Sequence, residues 1–278
     1  MKISINELRR DLARELSAYT DEFVTLADLI VAHSLCIDRK TLLTLLDTEV
    51  DEATVVLCRD MVRRFASGVP LQYIFGECWF YGLPVSVGPG CFIPRSDTEI
   101  LAAAAIELLP DRGRFADICC GSGCISLAIA SNRPDVTGMA LDYYHAPLSF
   151  AGENLSQYPA VSVERFDALE PEEYSRISGV DAVVCNPPYI PADEISMLET
   201  RVQAEPHTAL DGGPDGLTFY RSVISSCAPR LGKGAYMMFE VGFGQSQDVA
   251  SMLESAGFDV SFRRDMGDIE RVVIGELV

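Results

Sequence analysis

Apolar residues in the first 68 positions recur at the spacing of an α-helix. Leu8, Leu12 and Leu16 form one stripe, and positions 26, 29, 30 and 33 form a second. Thr25 and Asp38 stand where the N-caps of such helices are expected. The pattern predicts a small all-helical N-terminal domain over residues 1–75, serving either as a scaffold or as a docking surface for a substrate.

Between Gly76 and Pro94 the pattern changes to short apolar and aromatic runs. These runs cover residues 78–81 and 83–87, and glycine and proline interrupt them. Short runs between turn residues are typical of paired strands. We therefore expect a β-hairpin linker over residues 76–95.

From residue 96 onward, strand-like segments alternate with helical ones. Apolar runs predict strands at residues 114–118, 137–142, 182–185 and 235–241. Helical spacing predicts helices at residues 122–131, 146–155 and 218–228. Alternation of this kind predicts an α/β domain, with a parallel sheet and crossover helices on both faces, over residues 96–278. The last two segments, 258–264 and 270–275, predict an antiparallel edge.

The charge balance narrows the choice of partners. The chain carries 22 Lys and Arg against 41 Asp and Glu, a formal net charge of −19. A field of that sign repels phosphate backbones and anionic lipids, and no run of basic residues offsets it locally. No apolar run reaches the roughly 18 residues that span a bilayer. We expect neither direct nucleic-acid binding nor membrane insertion.

Cysteine and histidine usage indicates no metal site. None of the nine cysteines has the paired C-x-x-C spacing of a structural zinc site. An odd count in a large chain favours reduced thiols and a cytoplasmic protein. His33, His145 and His207 are not spaced with other ligands, so we expect them to serve packing or surface roles.

The first segment that indicates chemistry is residues 115–124, FADICCGSGC, which predicts a strand ending in a glycine turn that opens a helix. Small residues there let the backbone approach a ligand, and the helix N-terminus offers free N–H groups. About twenty residues later a predicted strand ends at Asp142, where an acid can accept hydrogen bonds from ribose hydroxyls. Asp142 is equally placed to cap the helix that begins near His145.

The glycine turn taken alone leaves an ordinary tight turn open as an interpretation. The full dinucleotide fingerprint G-x-G-x-x-G is absent, since Ile125 and Ser126 follow Cys124. That absence favours S-adenosylmethionine, which has no pyrophosphate, over a nicotinamide cofactor.

The most informative segment is residues 181–190, DAVVCNPPYI, in which a predicted buried strand runs into Asn186, Pro187, Pro188 and Tyr189. The prolines fix the backbone and offer no N–H donors, so nearby carbonyls point outward as acceptors. The Asn186 side-chain oxygen and a neighbouring carbonyl can accept both hydrogens of a planar NH2 group, while the Tyr189 ring stacks on its plane. The position at the end of a central strand favours a ligand site over a simple turn.

Such a site suits methylation of an amide or an exocyclic amine. The nitrogen lone pair is delocalised, and a sulfonium methyl group must be approached in line. Orienting the nitrogen while accepting its hydrogens favours the pyramidal geometry of attack, so catalysis rests on positioning and electrostatics. Neither a covalent nucleophile nor a general base is required.

With these two segments the chain resembles class I methyltransferases. Further stretches narrow the resemblance to the release factor glutamine N5-methyltransferase family (HemK/PrmC): residues 68–76 (GVPLQYIFG), 92–99 (FIPRSDTE), 205–217 (EPHTALDGGPDGL) and 219–221 (FYR). The resemblance spans nearly the whole chain. It implies a Rossmann-like domain with a mostly parallel seven-stranded sheet, S-adenosylmethionine as cofactor, and methylation of the glutamine in the Gly-Gly-Gln tip of class I peptide-chain release factors.

Matched by position, the resemblance also implies the site residues. The family's cofactor contacts fall on Cys119, Cys120, Gly121, Ser122, Gly123, Asp142, Asp167, Ala168 and Asn186. The glutamine pocket falls on Asn186, Pro187, Pro188 and Tyr189, with Arg95 near its entrance, and the implied catalytic residues are Asn186, Pro187 and Tyr189. The family usually has glycine where this chain has Cys119 and an aromatic residue where it has Ala168.

Two other functions stay open. An adenine N6-methyltransferase acting on DNA or RNA would use the same four residues, but a flipped base needs a basic approach, which the net charge disfavours. A non-catalytic cofactor-binding protein would keep the fold, but the intact Asn186 and Tyr189 disfavour it. We expect a monomer whose helical domain helps to dock a protein substrate.

Overall fold

A computed structural model describes residues 3–278, and the chain divides after Phe75 into two compact units. The first unit contains α1 (Ile5–Leu16), α2 (Phe23–Ser34), α3 (Arg39–Thr44), α4 (Glu52–Ala66) and α5 (Leu71–Phe75). A two-residue strand pair, β1 (Ile3–Ser4) with β2 (Glu49–Val50), adds to the predicted helices. Leu8, Leu12 and Leu16 are fully buried, as their spacing predicts.

Two local interactions define the helix starts in this unit. Ser4 and Glu7 form a capping box at the start of α1. Asp38 caps α3 by accepting a hydrogen bond from the Thr41 N–H at 2.9 Å, as predicted. The cap predicted at Thr25 is wrong, because α2 already begins at Phe23 and its N-cap is Glu22.

The second unit begins with a β-hairpin formed by β3 (Glu77–Phe80) and β4 (Leu83–Ser86). Tyr81 and Gly82 both have positive φ, 52° and 74°, which is the requirement of a tight two-residue hairpin turn. The Asn154 side chain accepts from the Ser86 N–H at 2.8 Å and donates to the Ser86 carbonyl at 3.0 Å. The hairpin therefore belongs to the second unit and is fixed to the rest of that unit through Asn154.

The second unit then alternates helices and strands. Its elements are α6 (Thr98–Leu108), β5 (Arg114–Ile118), α7 (Cys124–Asn132), β6 (Thr137–Asp142), α8 (His145–Asn154), β7 (Val161–Arg165), β8 (Ala182–Cys185), α9 (Thr200–Gln203), α10 (Thr218–Cys227), β9 (Tyr236–Glu240), α11 (Ser246–Ser255), β10 (Phe258–Arg264) and β11 (Glu270–Leu277). The seven strands from β5 to β11 form one sheet in the order β10-β11-β9-β8-β5-β6-β7. Five strands are parallel, and β11 and β10 form the antiparallel edge. The expected mostly parallel seven-stranded sheet is confirmed.

The central strands are apolar because helices cover both faces of the sheet. Ala182, Val183, Val184 and Cys185 of β8 are all fully buried, with Ala182 and Val184 packed into one hydrophobic cluster and Val183 and Cys185 into the other. In the sheet, β5 has β6 on one side and β8 on the other, so the direction of the strand order reverses at β5. Open α/β sheets bind ligands where the order reverses, at the carboxyl ends of the strands.

Among residues 3–278, no helix is long and apolar enough to cross a membrane.

Candidate active site

A cavity of about 460 Å³ opens at the carboxyl ends of β5, β6 and β8. It is lined by residues from the loops that follow these strands, by Phe92, Pro94 and Arg95, and by Pro206 and residues 208–210. Every site residue that the sequence predicts lines it except Gly123. Residues far apart in the chain are therefore assembled around one space.

The loop after β5 turns sharply three times. Cys119, Gly121 and Gly123 have φ of 61°, 57° and 74°, in the left-handed region that glycine adopts at no steric cost. A Cβ on Gly121 would meet no atom within 4 Å, so the backbone there is open to a ligand. Gly123 instead lies against α8, where a Cβ would come within 3.1 Å of the Ala151 Cβ.

Asp142 connects the ends of β5 and β6. Its Oδ2 accepts a hydrogen bond from the Gly121 N–H and its Oδ1 accepts one from the Tyr144 N–H, both at 3.0 Å. Tyr144 is the N-cap of α8 and makes no side-chain cap, so Asp142 holds the turn before the helix. Burial raises the pKa of Asp142, and the backbone hydrogen bonds oppose that rise. Both oxygens keep a lone pair for further donors.

The loop after β7 forms the wall beside Asp142. The Ala168 carbonyl accepts hydrogen bonds from the Tyr174 hydroxyl at 2.8 Å and from the Ser222 hydroxyl at 2.6 Å. These bonds fix the backbone at Ala168, whose methyl side chain leaves space in the cavity. Tyr143 also lines the cavity, and the Arg165 guanidinium lies 4.3 Å from its ring centroid.

Tyr143 was missed by sequence reasoning. The signal was its position directly after the predicted ribose acid, where an aromatic side chain is brought to the mouth of the site. An aromatic face next to Asp142 offers a planar surface for a base, which the small Ala168 does not.

Asn186 follows directly after β8 and is half-buried, whereas Pro187 and Pro188 are buried. The Asn186 Nδ2 donates a hydrogen bond to the Thr98 hydroxyl at 3.2 Å. Thr98 lies at the start of α6 and is 2% exposed. Because the amide nitrogen is used by Thr98, the side-chain oxygen of Asn186 is left to accept hydrogen bonds.

The backbone after Asn186 is fixed by the glycine-rich segment 205–217, which the sequence indicates only through the family resemblance. The Ile190 N–H donates to the Leu210 carbonyl, and the Gly212 N–H donates to the Ile190 carbonyl, each at 2.9 Å. A Cβ on Gly216 would lie 2.3 Å from the Tyr189 carbonyl oxygen, so this close approach requires glycine. The glycine-rich segment therefore fixes the backbone at Tyr189 and Ile190.

Arg95 and Glu205 join the two loops on the opposite side of the cavity. Glu205 forms a salt bridge with Arg95 and accepts a hydrogen bond from the Ile93 N–H at 2.9 Å. Its side chain is 2% exposed, against 36% for Arg95. The pair fastens residues 92–95 to residue 205, next to Pro206, which also lines the cavity.

Metal ligands and reactive thiols are not assembled here. Among residues 3–278, no group of three His, Cys, Asp or Glu side chains is placed to hold a metal ion. Burial raises the pKa of the thiols of Cys120, Cys124 and Cys185 well above the ordinary value. His33 stacks on Phe75, with ring centroids 4.1 Å apart, and is not part of the cavity.

The polar groups of the cavity fit S-adenosylmethionine. The Asp142 oxygens can accept from a ribose diol, the open backbone at Gly121 admits close contact, and Tyr143 and Leu169 add apolar surface to the lining. Asn186 and Tyr189 line the same cavity.

Two family models match the chain. Residues 7–76 match the PrmC N-terminal domain, and residues 96–213 match the methyltransferase small domain.

The chain is also similar to curated proteins named release factor glutamine methyltransferase. The relative from Geobacter sulfurreducens is 35% identical over 89% of this chain and 87% of its own length. The relative from Thermodesulfovibrio yellowstonii is 36% identical over 89% and 90%, and that from Bradyrhizobium diazoefficiens is 33% identical over 97% and 94%. Among solved structures, a ribosomal protein L11 methylase from Lactobacillus delbrueckii subsp. bulgaricus superposes with a TM-score of 0.50 at 16% identity, covering 70% of this chain and 86% of that one, which shows the fold alone.

Proposed function

Because the chain belongs to the release factor glutamine methyltransferase family, we propose that it methylates the side-chain amide nitrogen of the glutamine in the Gly-Gly-Gln motif of class I peptide-chain release factors. The observation that carries this proposal is that Asn186, Tyr189, Asp142 and the loop after β5 all line one cavity. Modification of that glutamine modulates translation termination.

S-adenosylmethionine supplies an electrophilic sulfonium methyl group when bound. Residues 119–122 and Asp142 would hold it, and Tyr143, Ala168 and Leu169 would border its base. Asn186 lines the same cavity, so a substrate held there would lie within reach of the cofactor.

Hydrogen-bond acceptors of the chain itself orient the substrate amide. The Asn186 side-chain oxygen and a main-chain carbonyl of the Asn-Pro-Pro-Tyr segment accept the two hydrogens of the substrate amide, and the Tyr189 ring packs on its plane. Held in this way, the nitrogen would be oriented with its lone pair toward the cofactor and free to pyramidalise. Preorganised acceptors of this kind stabilise the charge that develops on an N–H group during attack. The departing proton leaves to water.

Two features support a protein substrate over a nucleic acid. The net charge of −19 opposes the approach of a phosphate backbone, and the family relatives are named for release factors. Release factors act in the cytoplasm, so we also propose a cytoplasmic protein, and we propose that it acts as a monomer. Retention of Asn186 and Tyr189 opposes the non-catalytic alternative.

The proposal is tested by transfer of labelled methyl from S-adenosylmethionine. The substrates are a purified class I release factor, its Gln→Ala tip variant and plain DNA, each given to the wild-type chain and to Asn186→Ala. Label on the intact release factor alone, lost in both variants, is expected. Label on DNA would favour the adenine methyltransferase, and cofactor binding without label anywhere would favour the non-catalytic protein.

A further inference from the structure

Glu240 and Asn186 occupy equivalent positions at the ends of adjacent parallel strands. Cys185 of β8 pairs with Phe239 of β9, so the next residue on each strand is Asn186 and Glu240. Glu240 is 3% exposed, which is rare for a carboxylate in a protein core. It does not line the cavity, and none of the steps described above uses it.

The Glu240 carboxyl lies in a small polar cluster behind the cavity. Thr98 and Asn186 lie close enough to the Glu240 carboxyl for their polar groups to lower its pKa, and the Thr98 hydroxyl accepts a hydrogen bond from the Asn186 Nδ2 at 3.2 Å. The Glu240 Oε2 has no hydrogen-bond partner within residues 3–278. An ionised carboxylate only accepts hydrogen bonds, so it selects the NH2 end of the Asn186 amide.

We propose that Glu240, acting with Thr98, is a positioning residue that fixes the orientation of the Asn186 amide, so that its oxygen and not its nitrogen faces the substrate. An asparagine side chain can rotate by 180° and exchange its donor end for its acceptor end. In the exchanged orientation the Asn186 NH2 group would face the substrate NH2 group. Two donors would then meet, and the substrate would lose the hydrogen-bond acceptor that the Asn186 oxygen provides. This inference rests on the proposed function and deepens it.

The arrangement makes methyl transfer dependent on pH. Burial raises the pKa of Glu240 to about 7, and the polar groups of Thr98 and Asn186 oppose the rise. The charged or titratable groups that face it are Asp97 before α6, Arg271 on β11, and Tyr189 after β8; Tyr220 on α10 donates its hydroxyl to the Glu240 carbonyl at 2.8 Å. Below that pKa the carboxyl carries a proton and becomes a donor, so it no longer selects one end of the amide.

The test compares Glu240→Gln with the wild-type full-length chain and uses a purified release factor as substrate. Glutamine has the same shape but carries an NH2 group that can donate to the Asn186 oxygen. We expect kcat to fall by about tenfold or more, because a misoriented acceptor is lost from the transition state. KM for the release factor and the Kd for S-adenosylmethionine should change by less than about twofold, since neither molecule contacts residue 240.

The pH profile separates positioning from support of the fold. Wild-type kcat should fall as the pH is lowered through about 7, whereas the kcat of Glu240→Gln should be low and flat. The melting temperature of this variant at pH 8 should equal or exceed that of the wild type, because a buried carboxylate with a raised pKa is destabilising above that pKa. Glu276→Gln is the matched control, since it lies on β11 opposite Tyr236 at the far end of β9 and is exposed.

If Glu240→Gln fails to fold, the Thr98 variants decide the matter. Thr98→Val should lower kcat and Thr98→Ser should restore it, because serine keeps the hydroxyl. Wild-type kcat with an unchanged pH profile in Glu240→Gln, or equal kcat in the two Thr98 variants, would overturn the inference. A wild-type chain that methylates no release factor at any pH would overturn the proposed function, and this inference with it.

Discussion

The Asp142 Oδ2 accepts a hydrogen bond from the Gly121 N–H at 3.0 Å, so the acid at the end of β6 also holds the loop at the end of β5. One carboxylate therefore shapes two parts of the cofactor side of the cavity. Its other oxygen is engaged by the Tyr144 N–H. A substitution at Asp142 should affect the loop and the ribose contacts together.

Asp142→Asn should weaken S-adenosylmethionine binding by about tenfold or more. An asparagine can accept at only one of the two positions, and its NH2 group would then face the N–H of either Gly121 or Tyr144, leaving an unsatisfied donor. Isothermal titration calorimetry with S-adenosylmethionine and with S-adenosylhomocysteine measures the effect. The exposed Asp259 on β10 provides the control Asp259→Asn. Equal affinity in the two variants would remove Asp142 from the cofactor site.

The sequence predicts the central strands well because they are buried on both sides. The predicted bounds of β5, β6 and β8 agree with the structure, since a strand covered on both faces is a continuous apolar run. Strand β7 was missed because Val161–Arg165, VSVER, alternates as an edge strand and contains two charged residues. Helix α11 was missed because its buried residues, Val249, Ala250 and Leu253, are too few to make a strong stripe.

The cavity residues were predicted from motifs, whereas the residues behind them were not. Asn186 and Asp142 each end a strand, and their position follows from the topology. Thr98 and Glu240 lie 88 and 54 positions from Asn186 in the sequence, and a buried glutamate has no local pattern that separates it from a surface one. Only the pairing of β8 with β9 brings Glu240 beside Asn186.

Gly242→Ala should displace the Tyr189 ring and lower kcat. A Cβ at position 242 would lie 3.0 Å from the Tyr189 Cδ2 and 2.9 Å from the Gln245 Oε1, and Gln245 donates to the Tyr189 carbonyl at 2.9 Å. Gly242 does not have a positive φ, so alanine fits the backbone and only its neighbours must move. Displacement of a substrate-positioning group by a fraction of an ångström lowers kcat by about tenfold.

The control for this variant is Gly152→Ala on α8, where a Cβ meets no atom within 4 Å. That change should leave kcat unaltered and stabilise the fold by about 0.5–1 kcal/mol, because alanine is the better helix former. Steady-state methyl transfer and urea unfolding of both variants give the comparison. Wild-type kcat in Gly242→Ala would show that the position of the Tyr189 ring is not critical.

Cys119 should accept glycine far better than valine. Its φ of 61° lies in the left-handed region, which costs a side chain about 1 kcal/mol and a β-branched residue more. Cys119→Gly should therefore bind S-adenosylmethionine with near wild-type affinity, and Cys119→Val should be the less stable of the two by about 2 kcal/mol. Cys227 on α10 is buried without a positive φ, so Cys227→Val controls for valine in place of a buried thiol. Equal stability of the two Cys119 variants would contradict the left-handed conformation.

Glu205→Ala should destabilise the second unit more than removal of an exposed acid. The variant leaves the half-buried Arg95 and the Ile93 N–H without their common acceptor. Because Arg95 can still reach solvent, the main cost is the unsatisfied Ile93 N–H, about 1–3 kcal/mol. The comparison is Glu107→Ala, whose carboxylate is 65% exposed and lies 3.6 Å from Arg263. A pair that exposed contributes about 0–1 kcal/mol. Urea unfolding followed by tryptophan fluorescence measures both, since Trp79 lies in the hairpin of this unit.

The same variant tests what the Arg95–Glu205 salt bridge does for the substrate. Pro94 and Arg95 on one loop and Pro206 on the other line the cavity, so separation of the loops should loosen the proposed glutamine pocket and leave the Asp142 side intact. KM for the release factor should rise while the Kd for S-adenosylmethionine stays near its wild-type value. A rise in the cofactor Kd of the same size would mean that loss of Glu205 disturbs the cofactor side of the cavity as well. The salt bridge would then support the fold without any selective effect on the substrate.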